Sequence, residues 1–117
     1  MASGGAAQTA HLFRLRGGAP FAIAGLWDRW EGPNGPVQSC AVLTTGANDL
    51  VSRVHDRMPV ILAAADFDRW LDPAQHDPTA LLPLLRPDPA ELMESVAVSD
   101  RVNNARHDDP TCVEPAA

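Results

Sequence analysis

Short runs of alternating apolar and polar positions occur along the first half of the chain and predict strands with one buried face. HLFRL, residues 11–15, alternates in this way. PFAIAGLW, residues 20–27, follows after the turn signal RGGA, so the two runs predict a hairpin. VQSCAVLTT, residues 37–45, comes after the turn signal EGPNGP and predicts a third strand beside them. Three successive strands favour an antiparallel meander.

The rest of the chain predicts short helices and two further strands. Thr45 is a candidate cap for a short helix over residues 47–53, and MPVIL at 58–62 predicts a fourth strand with Pro59 at its start or edge. Apolar residues at helical spacing predict a short helix that packs on the core through Phe67, Trp70 and Leu71. Helical pieces at residues 80–85 and 89–94 and a last strand at residues 96–99 complete the prediction.

These elements predict one domain of the α+β class. A chain of 117 residues supports a single hydrophobic core. Residues 1–10 are small and polar without periodicity and are predicted to be a flexible lead, which leaves residues 11–117 as the folded part. The 11 prolines and 8 glycines predict short elements with many turns.

Charge, signal segments and cysteine spacing indicate which partners and which cellular compartment to expect. The net charge of −6 argues against binding nucleic acid through bulk electrostatics, although residues 1–62 hold five arginines against four acids, so an anionic ligand is expected there. A signal peptide and a membrane-spanning run are both missing, which predicts a cytoplasmic protein with no membrane partner. Cys40 and Cys112 lack metal-ligand spacing and are predicted core residues. No cofactor or metal is predicted.

Asp28 is the first candidate for chemistry. It ends an apolar run, with Trp27 and Trp30 close on either side. A carboxylate enclosed by aromatic rings is suited to general acid work. A turn carboxylate that accepts backbone N–H groups fits the same residues, so both interpretations stay open.

A second candidate is the trio His55, Asp56 and Arg57, which directly precedes the apolar run MPVIL. Alternation along a strand would place His55 and Arg57 on one face and Asp56 on the other. Arg57 could bind a phosphate while His55 moves a proton, since histidine changes charge near neutral pH. A satisfied histidine beside a surface ion pair is the alternative. His107, Asp108 and Asp109 fit a solvated loop better than a metal site.

Five segments together resemble the SRAP family, the SOS response-associated peptidases or abasic site processing proteins. They are PFAIAGLWDRW, VLTTGAN, VHDRMPVIL, DFDRWLD and the tail VNNARHDDPTCVEP, and their order and spacing agree from about His11 to Pro115. The resemblance covers nearly the whole chain, but only about the second half of a usual member. It implies an antiparallel, partly barrel-like sheet with short flanking helices, incomplete at its N-terminal side.

The resemblance also implies a chemistry on abasic sites in single-stranded DNA. In the family, an N-terminal cysteine attacks the ring-opened sugar aldehyde with its amine and thiol and forms a thiazolidine crosslink that shields the lesion. A glutamate of the GLWE motif acts as acid or base, and the HDR motif supplies a proton-transfer histidine and an arginine along the DNA path. Carried over, Asp28 and His55 are the expected catalytic residues, Arg57 contacts DNA and Asp56 has a structural role.

Three departures from the family pattern change the expected activity. Residue 2 is Ala2, which has no thiol, and the upstream strands with most of the basic DNA-binding surface have no counterpart in this chain. Asp28 is one methylene shorter than glutamate, and a misplacement of about 1 Å can cost roughly 10²-fold in rate. We therefore expect a truncated SRAP protein that forms no crosslink alone, with a missing N-terminal half as a candidate partner. The alternative is a non-catalytic DNA- or protein-interaction remnant of the same fold.

Overall fold

The computed structural model describes residues 9–116, so most of the predicted flexible lead lies outside the described residues. Ala10, the last residue of that lead, already belongs to a strand. The described part contains eight strands and two short α-helices. They are β1 (Ala10–Leu15), β2 (Ala22–Ile23), β3 (Gly25–Gly32), β4 (Gly35–Val42), β5 (Thr44–Gly46), β6 (Arg57–Pro59), β7 (Ile61–Leu62), α1 (Phe67–Leu71), α2 (Pro78–Leu81) and β8 (Met93–Val98).

Every strand pair is antiparallel, and short helices flank the strands, so the predicted α+β class is confirmed. The pairs are β1 with β8, β2 with β7, β3 with β4 and β5 with β6, and the described strands form no closed barrel. The predicted hairpin between HLFRL and PFAIAGLW is wrong, and so is the meander. β1 pairs with the last strand instead, because this pairing buries Met93 beside Phe13 and Leu15.

Three chain segments meet at one buried point, which we call the junction: Ala24, Leu43 and Val60. The Ala24 N–H donates to the Val60 carbonyl at 2.8 Å, the Val60 N–H to the Leu43 carbonyl at 3.0 Å, and the Leu43 N–H to the Ala24 carbonyl at 3.0 Å. Three two-stranded ribbons therefore leave the junction in turn: β2–β7, β3–β4 and β5–β6. Ala24 and Val60 are 0% and 1% exposed, and the partly buried Leu43 packs against them.

The segment from Met58 to Leu62 separates two small hydrophobic cores. Val60 and Leu62 pack in the first core with Ala24 and Leu84, and Phe67 and Trp70 of α1 cover it. The second core consists of Val51, Met58, Ile61 and Met93. The predicted core face of α1 is therefore confirmed for Phe67 and Trp70. It is wrong for Leu71, which is 73% exposed because the helix ends there, after only five residues.

At two positions where the sequence predicts a helix, the structure has only a single 3₁₀ turn. The helix expected over 47–53 is a turn at Val51–Arg53, and Thr45 lies in β5 rather than at its cap. Asn48 takes that role, because its Oδ1 accepts the N–H groups of Leu50 and Val51 at 3.1 and 2.9 Å. The helical piece expected over 89–94 is a turn at Ala90–Leu92, since Met93 starts β8.

The two cysteines differ in burial. Cys112 is buried, as predicted for a core residue, and its thiol lies 3.6 Å from the His107 carbonyl. Cys40 is exposed, and its predicted core position is wrong. It lies in β4, opposite Trp27 of β3, and neither face of that hairpin packs on a core within the described residues.

Candidate functional site

Asp28 lies midway along β3, opposite Ser39 of β4. One carboxylate oxygen, Oδ1, accepts the backbone N–H of Arg29 at 2.8 Å. The residue is exposed and borders a shallow cavity of about 370 Å³ on the side of the hairpin. Asp28 is thus available to a ligand that approaches the hairpin.

The tryptophans do not enclose Asp28 in the described part of the chain. Trp27 points to the opposite face of β3, while Trp30 shares the face of Asp28. Their exposed fractions are 72% and 62%, so water reaches both rings. The expected desolvated pocket around the carboxylate is therefore not formed by these two side chains, and anything that shields Asp28 must come from elsewhere.

His55 lies in the irregular segment before β6, next to a bend at Asp56, rather than in a strand. The Nδ1 atom of His55 accepts the backbone N–H of Arg57 at 3.0 Å. The backbone N–H of His55 donates to the Val51 carbonyl at 2.9 Å. Nδ1 also lies 3.2 Å from the Arg57 carbonyl, so this nitrogen faces both a donor and an acceptor of the same residue. The Asp56 carboxylate oxygen Oδ1 is 3.4 Å from Nδ1, and both side chains are largely exposed.

Arg57 begins β6 and is tethered to the neighbouring strand. Its Nη2 donates to the carbonyl and to Oγ1 of Thr44 in β5, at 2.9 and 3.0 Å. Among residues 9–116, no acceptor binds Nε or Nη1, so part of the exposed guanidinium fork is free for a planar anion. His55 and Arg57 are adjacent as predicted, but the link is a side-chain to backbone hydrogen bond and not a shared strand face.

The three predicted site residues lie on two different ribbons. His55 and Arg57 belong to the β5–β6 side, and Asp28 belongs to the β3–β4 hairpin. In the described residues, Asp28 shares no hydrogen bond with the other two, and neither of them lines the cavity beside Asp28. The junction connects the ribbons, since Ala24 and Val60 lie four and three residues from Asp28 and Arg57 respectively. The described residues therefore bring His55 and Arg57 together, while Asp28 lies on a separate ribbon.

Sequence patterns missed a groove of about 860 Å³ between the β1–β8 pair and the turn at residues 51–53. It is lined by both signs of charge, with Arg16 and Arg53 near Asp49 and Glu91. His11 of β1 lies at this groove, 3.2 Å from the Ser95 hydroxyl of β8 through Nδ1. Local patterns could not find this pair, because its residues are 84 positions apart and only the β1–β8 register brings them together.

Shifted pKa values occur outside the predicted site. Burial raises the pKa of Asp88, which lies between two grooves beside Ile61 and Leu62. Hydrogen bonds from Thr79 and Thr111 lower the pKa values of Asp77 and Asp109, which begin helical turns. The Asp77 and Asp109 carboxyl groups therefore cap local turns. Residues 9–116 contain no group of three His, Cys, Asp or Glu side chains placed to hold a metal ion.

None of the helices within residues 9–116 has the length and apolar character needed to cross a bilayer.

Solved structures show where this arrangement occurs in a larger fold. An X-ray structure of a Bacteroides thetaiotaomicron protein, Northeast Structural Genomics Consortium target BtR8, superposes with a TM-score of 0.83 at 26% identity. The superposition covers 98% of this chain and 51% of that protein. The β-ribbons described above thus correspond to about half of a larger structure.

Sequence comparisons identify relatives. Abasic site processing protein YoqW of Bacillus subtilis (strain 168) is 40% identical over 102 residues, which are 86% of this chain and 46% of that protein. Abasic site processing protein HMCES of Gallus gallus is 37% identical over 103 residues, which are 86% of this chain and 30% of that protein. The chain spans less than half the length of these relatives. A profile of the SOS response associated peptidase (SRAP) family matches residues 2–105, and the chain belongs to this family.

Proposed function

We propose that this chain supplies the proton-transfer and DNA-contacting part of a pocket that processes abasic sites in single-stranded DNA during the DNA-damage response. Relatives named abasic site processing proteins, at 40% and 37% identity, support the substrate class. The observation that carries the proposal is the hydrogen-bonded pair His55 and Arg57 at the end of the β5–β6 ribbon that lies away from the junction. The pair places His55, which can transfer a proton, next to Arg57, which can bind an anion.

Arg57 is the proposed phosphate contact. Thr44 holds the guanidinium through Nη2 only, which fixes its orientation while Nε and Nη1 stay open in the described residues. A guanidinium fork binds phosphate oxygens in a planar, bidentate way that a lysine cannot reproduce. The DNA backbone would therefore lie along the exposed edge of this ribbon and bring the abasic sugar toward His55.

His55 and Asp28 are the proposed proton-transfer residues. When an amine attacks the aldehyde carbon of an opened abasic sugar, a C–N bond forms and the carbonyl oxygen takes up a proton. Loss of water then leaves an imine. The imidazolium form of His55 can give a ring proton to that oxygen and become neutral, and the Asp28 carboxylate can accept the proton that the amine releases. Since the two side chains lie on separate ribbons here, the step requires a further part of the SRAP domain to bring a substrate between them.

Crosslinking as a thiazolidine requires a thiol next to the attacking amine. Residue 2 of this sequence is Ala2, which offers none and lies outside the described residues. We propose that the 117-residue chain by itself forms no thiazolidine with DNA. A non-catalytic role within the same fold is the second candidate, and the exposed β3–β4 hairpin favours it because such a surface suits binding rather than chemistry.

The crosslinking proposal can be tested on a denaturing gel. The 117-residue chain is incubated with single-stranded DNA that contains one abasic site, and with the same DNA without the site. We expect no band that survives SDS. A shifted band in the abasic sample alone would contradict the proposal, and its loss in His55→Ala would then assign the chemistry to this residue.

The DNA contact can be tested separately by fluorescence anisotropy at low salt. Arg57→Ala should weaken binding of the abasic oligonucleotide by about tenfold, the effect of one charge-assisted hydrogen-bonding group. Arg86→Ala is the matched control, because Arg86 is an exposed arginine that donates only to the nearby Pro83 carbonyl. Equal losses in both variants would mean that only the net charge matters.

A further inference from the structure

The β3–β4 hairpin exposes apolar side chains on both of its faces. By strand alternation and register, Leu26, Trp30 and Val37 share one face, and Trp27 and Val42 share the other. Their exposed fractions range from 50% for Val37 to 72% for Trp27. Antiparallel ribbons at a protein surface normally keep at least one face polar, and an isolated two-stranded hairpin is only marginally stable in water. Both faces of this hairpin would therefore be stabilised by a further segment that buries these apolar side chains.

The edges of the hairpin are open as well. Within residues 9–116, β3 and β4 pair only with each other. Apart from the Gly25 carbonyl, which accepts the Trp70 indole N–H at 3.1 Å, their outer edges therefore present N–H and C=O groups to a further strand. Such edges are templates for further strand pairing. The exposed apolar faces and the open edges are independent features, and they occur on the same element.

The radius of gyration and the accessible surface are both larger than expected for a closed domain. Its radius of gyration is 17.6 Å, whereas a compact domain of this length has about 13 Å. Its accessible surface is 8761 Å², against roughly 6,200 Å² expected from the mass of a folded monomer. The chain thus exposes more surface than a closed domain of its size.

We propose that the β3–β4 hairpin is the docking surface for the rest of an SRAP domain, whichever polypeptide carries it. The Bacteroides structure superposes with 98% of this chain but has about half of its own length left over, and YoqW has more than half left over. We identify this remaining part of the domain as the segment that covers the β3–β4 hairpin. The proposal rests on family membership and not on the proposed DNA chemistry.

Docking at this surface would also complete the candidate site. Asp28 lies on the face of Leu26 and Trp30, so a segment that covers those two side chains also encloses the carboxylate. The face with Trp27 carries Cys40 directly opposite it in β4. Cys40 is exposed and Cys112 is buried, which provides a reporter thiol on the hairpin and a reference thiol away from it.

Thiol labelling with Ellman's reagent tests the proposal, with each cysteine quantified by peptide mass spectrometry. The chain alone is compared with a chimera that joins it to the part of YoqW outside the match, in the order of the relative. We expect Cys40 to label at least about tenfold more slowly in the chimera, as for a site exposed only by local opening. The same YoqW part, added as a separate polypeptide, should slow Cys40 labelling in proportion to its concentration.

Two substitutions connect the protection to the apolar faces. Trp27→Ser and Trp30→Ser should each restore fast labelling of Cys40 in the chimera, because each removes a large apolar contact from the docked surface. Val113→Ser is the matched control, since Val113 is also an exposed apolar residue, at 49%, but lies in the C-terminal tail. It should leave the protection unchanged.

Two results would overturn the proposal. One is a Cys40 labelling rate that neither the joined nor the separate YoqW part slows. The other is protection of Cys40 in the chain alone that grows with protein concentration and accompanies a dimer in sedimentation, which would make a second copy the occupant. Neither result depends on the DNA experiments, so the two proposals can fail separately.

Discussion

Single polar side chains hold the loops around the candidate site. Asn48 is the main example, because its amide connects three parts of the chain. Its Oδ1 caps the turn at Val51–Arg53, and its Nδ2 donates to the Asp88 carbonyl at 2.8 Å and lies 3.4 Å from the Met93 sulfur. The irregular segment that presents His55 follows directly on that turn. Asn48 therefore positions His55 without touching it.

Asn48→Ala should lower the free energy of unfolding by about 1–3 kcal/mol, because it leaves part-buried N–H and carbonyl groups without partners. Thermal unfolding followed by circular dichroism measures the loss. Asn34→Ala is the matched control, since Asn34 is exposed in the turn of the β3–β4 hairpin. Equal melting temperatures for the Asn48 variant and the unsubstituted chain would contradict the assigned role.

Asp109 shows how a hydroxyl group adjusts a carboxyl group. The Thr111 hydroxyl, and then the Thr111 N–H, hold the pKa of Asp109 below its usual 3.8. Because the folded-state pKa is lowered, the resulting stability is present above the unfolded-state value and is lost as the pH falls through the folded-state value. Thr111→Val should raise the pKa of Asp109 in a carbon-detected NMR titration. Asp77, lowered by Thr79, should stay unchanged in that variant.

At the scale of elements, burial separates leucines that look alike in sequence. Leu62 of β7 is 7% exposed and packs in the first core, whereas Leu71 at the end of α1 is 73% exposed. Helical spacing predicted Leu71 as core, but α1 ends at this residue and only Phe67 and Trp70 reach the core. The length of a helix decides which of its apolar residues are buried, and a periodic pattern does not contain that length.

Leu62→Ala should cost about 2–5 kcal/mol of stability, the range for a buried leucine that leaves a cavity. Leu71→Ala removes the same atoms from an exposed position and should change stability by less than about 0.5 kcal/mol. Urea unfolding of both variants gives the comparison. Similar losses in the two would mean that Leu71 packs against something beyond the described contacts.

The predictions from sequence succeeded where short-range physics decides the structure. Alternation located β1 and β4, and the turn signal EGPNGP predicted the turn of the β3–β4 hairpin. The last strand was predicted at residues 96–99, whereas β8 covers Met93–Val98. The partner of β1 could not be predicted, because its pairing with β8 depends on burial shared across some 80 residues. For the site, residue type and pattern singled out Asp28, His55 and Arg57, and the family resemblance assigned their roles. The hydrogen bond from the Arg57 backbone N–H to His55 Nδ1 depends on an irregular segment that alternation does not describe.

At the scale of the whole molecule, stability should differ strongly between ribbons. The β1–β8 pair packs on the second core, whereas β3–β4 has exposed faces and open edges. Amides of residues 25–42 should therefore exchange with deuterium faster than those of residues 93–98. The junction amides of Ala24, Leu43 and Val60 should be among the slow ones, because they are hydrogen-bonded at a buried point. Uniform exchange across both ribbons would contradict this division.

The junction also governs how the chain can change in length. Since the three ribbons are joined by hydrogen bonds at Ala24, Leu43 and Val60, residues added at the far end of one ribbon leave the directions of the other two unchanged. The turn at Pro33 and Asn34 is such an end, and an insertion there costs little closure entropy. Homologous sequences should therefore vary in length at this turn, while the spacings from residue 24 to 28 and from 57 to 60 stay constant.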